Sequence, residues 1–265
     1  MMKFFLLPFL ILTSSIYCQN KSKVNIFLDE NLKPINETSF NEKRESFIYT
    51  SISHGNDSVA VHQITNLIKF GKLDTITNYQ IRMLLKRDSK NNHIADKDLI
   101  LTFRDTLYGF KTHSNFANLS NRDIKNKIKH YDNIQKKCLK RDRKDNYERF
   151  YFYNVNKEYN YLPKNFSWIK SSSILNNLLF NNQSAMLILK TNGDYFYFQE
   201  IYENYVIELI KAENWELFIN EYEIAKNTLS KVRFGKLKNL QVNYEDVKNN
   251  SYPRHNTQCY YPGDY

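Results

Sequence analysis

The chain has 265 residues, of which 42% are hydrophobic and 15% aromatic, so it is long and apolar enough to bury a substantial core. Only 6 glycines and 5 prolines occur, which excludes collagen-like and linker-like chains. The formal net charge of +10 is compatible with an anionic partner, but it is equally typical of a soluble protein of high pI.

Residues 1–18 have the order of segments that is typical of a secretory signal peptide. Lys3 supplies a positive start, residues 4–12 are apolar apart from Pro8, and small polar residues follow. The apolar run is shorter than the ~20 residues that a membrane-spanning helix needs. We therefore expect an exported protein, periplasmic or extracellular, whose mature chain begins at Gln19.

The chain has three cysteines, Cys18, Cys138 and Cys259, and none of them belongs to a C-x-x-C pair. A dithiol redox motif and a cysteine-based zinc site are therefore not predicted. Lipid anchoring at Cys18 is the less favoured alternative to cleavage, because Tyr17 is larger than the small residue that usually precedes a lipidated cysteine. Cys138 is expected to be a buried thiol, with a Cys138–Cys259 disulfide as the alternative in an oxidising compartment.

The part of the chain that follows residue 18 alternates short apolar runs with polar and charged segments. Period-two alternation predicts strands, and apolar residues three or four positions apart predict helices. The predicted strands are Val24–Leu28, 59–68 and 99–103, and the predicted helices are 41–48 and 77–87.

The clearest predicted helix is 120–139. Ser120 is a good N-cap, and Asp123 stands three residues later, where a capping box places an acid. Apolar residues such as Ile124 and Ile134 recur at helical spacing and continue to Cys138. We expect this helix to have one apolar face and one polar face.

Asn192 and Gly193 lie between two apolar runs, which is a strong signal for a β-hairpin. The strands of this hairpin are predicted at Ala185–Leu189 and 195–198. A strand with large side chains on both faces is predicted at 149–155, and a short helix at 173–180. Helical structure is predicted over 205–229, with Asn214 as a candidate cap before Trp215. A mobile tail is predicted at 251–265.

From residue 76 onward the predicted order is helix, strand, helix, strand, helix, strand, hairpin strand and helix. This order, together with the hairpin of residues 184–196 and the helix that follows it, resembles the thioredoxin fold. The resemblance implies an α/β fold, with α+β as the alternative, in which helices flank a mixed sheet. It implies a thioredoxin-like domain at 59–230, an N-terminal extension at 19–58 and a C-terminal extension at 231–265.

The resemblance does not extend to the redox centre. Thioredoxins carry a C-x-x-C between a strand and the next helix, and the corresponding residues 104–121 contain no cysteine. Thioredoxins also place a cis-proline before the hairpin strand, where this chain has Asn182, Gln183 and Ser184. The resemblance therefore implies the fold without the redox activity, and no active-site residue of the family has a counterpart.

Positive charge is concentrated between Arg122 and Arg149, where eleven Lys or Arg residues face five Asp or Glu residues. A solvated helix face is the favoured interpretation, and the alternative is an anion-binding surface for anionic lipid, polysaccharide or an acidic protein. Nucleic acid is not expected, because export removes the usual targets. The candidate residues are Lys125, Lys129, Lys136, Lys137, Lys140 and Arg141.

Motifs of catalysis and metal binding are absent from the sequence. It has no G-x-S-x-G, no P-loop, no G-x-G-x-x-G and no H-x-x-x-H, so no catalytic residue, cofactor or metal ligand is predicted. His113 is interpreted as an exposed loop residue. The expected function is that of a non-redox binding or accessory protein of the cell envelope. The alternatives are an exported hydrolase or transferase with an unrecognised site, and a binder of anionic surfaces through residues 122–149.

Overall fold

The structure is a computed structural model that describes residues 23–90, 94, 96–109, 119–144, 146–159, 164, 167–180, 183–199, 209–210 and 212–240. The strands are β1 (Val24–Leu28), β2 (Tyr49–Gly55), β3 (Val59–Asn66), β4 (Ile68–Lys72), β5 (Asp98–Tyr108), β6 (Tyr147–Lys157), β7 (Trp168–Lys170), β8 (Ala185–Leu189) and β9 (Asp194–Phe198). The helices are α1 (Glu37–Glu45), α2 (Thr75–Ser89), α3 (Asn121–Lys144), α4 (Ser173–Leu179) and α5 (Glu216–Thr228), followed by a 3₁₀ helix at Gly235–Asn239.

The strands form two sheets. A three-stranded sheet has the order β1-β3-β2, with β1 parallel and β2 antiparallel to β3. A six-stranded sheet has the order β4-β9-β8-β5-β6-β7, in which β5, β6 and β7 are parallel and the other neighbours are antiparallel. The predicted α/β class, with a mixed sheet flanked by helices, is confirmed.

Helices cover both faces of the six-stranded sheet, because its inner strands are apolar on both sides. All five residues of β8 are buried, and alternate residues belong to two separate clusters. Leu187 faces α2 and α4, whereas Ile188 shares a cluster with Phe218 and Tyr222 of α5. Helix α3 lies on the α5 face, since its Gln135 accepts a hydrogen bond from the Tyr151 hydroxyl of β6.

The chain passes from one sheet to the other within a single residue. Only Leu67 separates β3 from β4, and the carbonyl of Ile48 accepts hydrogen bonds from the backbone N–H groups of Leu67 and Ile68, at 2.9 and 3.2 Å. The strand predicted at 59–68 is therefore confirmed over β3 and wrong at its C-terminal end, since alternation of apolar residues continues across a point where the hydrogen-bonding partner changes. Ile64 and Ile68, on the two sides of this point, both belong to one core cluster.

The predicted hairpin at Asn192 and Gly193 is confirmed, because β8 and β9 pair in antiparallel register on either side of it. Gly193 has a φ of +87°, and a Cβ there would lie 2.6 Å from the carbonyl oxygen of Leu73. The backbone N–H of Leu73 donates to the Gly193 carbonyl at 2.9 Å. A glycine is thus required both by the turn and by the close approach of the segment that leads into α2.

Most helix predictions are correct in kind and differ at their ends. Helix α2 extends beyond 77–87 because Asp74 caps it, accepting the Thr77 N–H at 2.9 Å. The helix predicted at 41–48 is displaced towards the N-terminus, to α1, because Asn36 is its cap. Strands β2, β4 and β7 were not predicted. The signal peptide at 1–18, the tail at 251–265 and half of the predicted helical segment before Trp215 lie outside the described residues.

Ile188→Asp is expected to abolish stable folding. Ile188 is fully buried in the middle of β8, and an unpaired buried carboxylate costs several kcal/mol out of a typical stability of about 5–15 kcal/mol. Thermal unfolding followed by circular dichroism measures this loss. Ile224→Asp, on the exposed side of α5, is the matched control and should leave folding intact. An unchanged melting temperature for Ile188→Asp would contradict the position of β8 inside the sheet.

Candidate anion-binding surface

Helix α3 begins at the Ser120 N-cap that the sequence predicts. The Ser120 hydroxyl accepts the Asp123 N–H at 3.2 Å and donates to a carboxylate oxygen of Asp123 at 2.6 Å. The Asp123 carboxylate thus binds the Ser120 hydroxyl rather than the backbone N–H that it would accept in a capping box. These contacts satisfy one of the backbone donors that a helix start leaves unpaired and occupy the Asp123 carboxylate.

One side of α3 is held against the sheet by apolar and ionic contacts. Ile134 and Cys138 are buried there. Further along the helix, the carboxylate of Asp142 binds the guanidinium of Arg149 through two hydrogen bonds, at 2.8 and 3.1 Å. Both side chains are almost completely buried, so this bidentate pair anchors the last turns of α3 to β6.

The opposite side of α3 carries a continuous line of cations, which we call the basic stripe. Successive helical residues are rotated by about 100°, and six exposed basic residues fall within an arc of roughly 60°. They extend over about 30 Å of the helix axis at 1.5 Å per residue. These residues are Arg122, Lys125, Lys129, Lys136, Lys140 and Arg143.

The acidic residues of α3 do not neutralise the basic stripe. Asp123 is engaged at the helix start, and Asp142 lies on the buried side with Arg149. Asp132 accepts the backbone N–H of Lys164 at 3.3 Å. Within the described parts of the chain, no member of the basic stripe forms an ion pair. The cations are therefore available to an external anion.

The structure places the predicted anion-binding residues as follows. Lys125, Lys129, Lys136 and Lys140 belong to the basic stripe, and Lys137 is exposed beside it. The side chain of Arg141 lies outside the described residues. Arg122 and Arg143 were absent from the predicted set, although their helical phase would have identified them.

Two buried cations escaped the sequence analysis, and both have structural roles. The Lys190 ammonium donates to the carbonyls of Ala212 and Glu213, at 2.6 and 3.0 Å, and lies over the Trp215 ring. Burial lowers the pKa of Lys190. The Arg82 guanidinium donates to three backbone carbonyls, including that of Lys190 at 2.9 Å. Because the N–H groups of both cations are bound to these carbonyls, they are not available to an anionic ligand.

Cys138 is 3% exposed and disulfide-bonded, so the prediction of a buried thiol is wrong in its redox state, although correct in its burial. No other cysteine lies in the described ranges. The Cys138–Cys259 pairing therefore stays a prediction, because Cys18 and Cys259 both lie outside them.

The residues that the structure describes contain no group of three or more His, Cys, Asp or Glu side chains placed to hold a metal ion. His113 is not among them. None of the helices in the described ranges combines the length and the apolarity that crossing a bilayer requires.

The chain matches no protein-family model, and comparisons with curated proteins and with solved structures found no match. The class of this protein is therefore defined by its own architecture. It is an α/β protein in which a mixed sheet carries a basic helix on one face.

Asp142→Ala is expected to lower the free energy of unfolding by about 3–5 kcal/mol, because it leaves the buried Arg149 guanidinium without its carboxylate. Replacing both partners by leucine should cost less than this single change, since no charge is then left buried. Urea unfolding of the three proteins measures the difference. Glu223→Ala is the matched control and should cost less than about 1 kcal/mol, because Glu223 and Lys226 form an exposed pair. Equal losses for Asp142→Ala and Glu223→Ala would contradict the anchoring role.

Proposed function

We propose that this protein is an exported, non-redox, thioredoxin-like binding protein of the cell envelope whose basic stripe binds an extended anionic partner. The observation that carries the proposal is the line of six cations along α3, none of which forms an ion pair with a described residue. An acidic polysaccharide and a layer of anionic headgroups share the required chemistry, which is repeated negative charge over tens of ångströms.

The strand arrangement supports the thioredoxin-like part of the proposal. Strands β5 and β6 are parallel and joined through α3, and β8 and β9 form an antiparallel hairpin beside β5. Helices α3 and α5 lie on one face, with α4 on the other. The order β9-β8-β5-β6 and this distribution of helices resemble the core of a thioredoxin and support the proposal. Strands β4 and β7 and the three-stranded sheet are additions to it.

The proposal excludes disulfide reduction, because the cysteines lack the spacing of a thiol and its resolving partner. We expect the purified protein to reduce insulin no faster than buffer with the same reductant. Turnover comparable to that of a thioredoxin run in parallel would contradict the non-redox assignment.

The charged, apolar and small polar order of residues 1–18 supports export, and export carries a consequence for Cys138. Cleavage before Gln19 removes Cys18 and leaves Cys259 as the intramolecular partner of Cys138. Intact mass of the exported protein is expected to match a chain that begins at Gln19. A non-reducing peptide map is expected to link Cys138 with Cys259. A diacylglyceryl adduct on Cys18, or a mass that retains residues 1–18, would contradict this maturation.

The basic stripe should bind through electrostatic attraction alone, since the exposed arc contains no apolar side chain that could insert into a membrane. Each basic residue beside an anionic surface contributes about 1 kcal/mol. Such contacts are screened over ~8–10 Å at physiological ionic strength. Six aligned cations therefore predict salt-sensitive binding that depends on their alignment more than on net charge.

Changing Lys125, Lys129, Lys136 and Lys140 together to Gln is expected to weaken binding to phosphatidylglycerol vesicles and to polygalacturonate by roughly tenfold or more. Vesicle cosedimentation and affinity electrophoresis measure the two interactions, and added salt should remove both. The fold should be unchanged, since all four side chains are exposed.

The matched control removes the same charge from scattered exposed lysines. These are Lys23, Lys86, Lys170 and Lys238, changed together to Gln. The control should bind nearly as well as the unchanged protein. Equal weakening of binding in both variants would show that net charge, and not the basic stripe, causes the binding. A wild-type protein that binds neither probe at low salt would overturn the proposed function.

A further inference from the structure

A cavity of about 290 Å³ lies on the face of the six-stranded sheet that is opposite α3. It is enclosed where β3 and β4 meet β9, with α2 and α4 forming its outer wall. It has no residue in common with the basic stripe, so it can be considered independently of the proposed function.

Part of the cavity wall is apolar. Ile81 of α2, Leu187 of β8 and the α4 residues Leu178 and Leu179 line it, together with Phe180. These side chains offer a surface that would bury the hydrocarbon part of a small molecule.

A tyrosine ring forms part of the wall because the neighbouring strand has a glycine. The ring of Tyr195 lies across β4 at Gly71, where a Cβ would come within 2.4 Å of the tyrosine Cζ. Tyr197, two residues along β9, lines the same cavity. The cavity is therefore bordered by two aromatic faces that each carry a hydroxyl group.

Much of the remaining wall is polar, and several of its donors and acceptors make no hydrogen bond with a described residue. Gln63 lines the cavity, and its exposed fraction is 9%. Within the described residues, its side-chain amide makes no hydrogen bond. The amide atoms of Gln63 are not among the fully buried polar atoms, so they are available to a ligand group in the cavity.

Four further polar side chains of the cavity wall have no hydrogen bond or ion pair with any described residue. They are Lys69, Gln183, Tyr195 and Tyr197. Burial raises the pKa of Tyr197 to about 12, so its hydroxyl remains a donor at physiological pH.

The charges at the cavity favour an anion. The Lys69 ammonium at the rim has no carboxylate partner among the described residues. The one acid of the wall, Glu30, binds the Lys43 ammonium at 2.5 Å and is thereby neutralised. A volume of about 290 Å³ lies at the lower end of the range of small-molecule sites, roughly 300–1,000 Å³.

We propose that this cavity binds a small aromatic carboxylate of the size of phenylacetate. The carboxylate lies at Lys69 and accepts hydrogen bonds from the neighbouring tyrosine hydroxyls and glutamine amides. The ring packs on Leu178 and Phe180.

Isothermal titration of the full mature chain with phenylacetate tests the proposal. We expect saturable binding at one site with a dissociation constant in roughly the millimolar range or below. Phenylacetamide and phenethylamine, which keep the ring and lack the negative charge, should bind at least roughly tenfold more weakly. Absence of saturable binding, or equal affinity for phenylacetamide, would overturn the proposal.

Gln63→Leu and Lys69→Met are each expected to weaken phenylacetate binding by roughly tenfold. Because Gln63→Leu alters a buried position, a second variant keeps the test decisive if that protein fails to fold. Leu178→Trp enlarges a side chain that is 54% exposed and should block the cavity without disturbing the core. Phenylacetate binding that survives all folded variants would assign the ligand to another site and overturn the proposal.

The variant with Gln at Lys125, Lys129, Lys136 and Lys140 should bind phenylacetate as the unchanged protein does. Loss of carboxylate binding in that variant would locate the carboxylate on α3 and overturn the proposal. Failure of vesicle binding has no effect on this titration, so the two proposals are tested separately.

Discussion

Burial of the inner strands on both faces is the constraint on which the rest of this structure depends. Strand β8 has no exposed residue, and its neighbour β5 is buried along its first half. A sheet of this kind is stable only when helices cover both sides. The two coverings produce two different surfaces, since α3 and α5 occupy one face and α2 and α4 occupy the other.

The structural contacts made by the acidic residues of α3 explain why no negative charge interrupts the basic stripe. Its acidic residues are engaged in local contacts, at the helix start through Asp123 and at the sheet through Asp142. The carboxylate of Asp142 is buried and paired with Arg149, so its negative charge does not offset the basic stripe. The same contacts that position the helix therefore leave its outer face positively charged.

The change of sheet at Leu67 determines which side chains border the cavity on the opposite face of the six-stranded sheet. It places β3 beside β4, so that Gln63 of one sheet and Lys69 of the other border one cavity. The cavity lies at the seam between the two sheets. The backbones of Gln63 and Lys69 are paired with neighbouring strands, whereas their side chains border the cavity and make no hydrogen bond with a described residue.

Local features of the chain were enough to predict β1, β8, the Asn192–Gly193 hairpin, the capped helix α3 and the exposure of its lysines. Each depends on residues within a few positions of one another, through alternation, capping or turn geometry. Tertiary contacts alone decided the split of β3 from β4, the partners of Arg82 and Arg149, the disulfide of Cys138 and the burial of Gln63. These features depend on residues far apart in the chain, such as Arg82 and Lys190, and no local pattern specifies which distant groups a folded chain brings together.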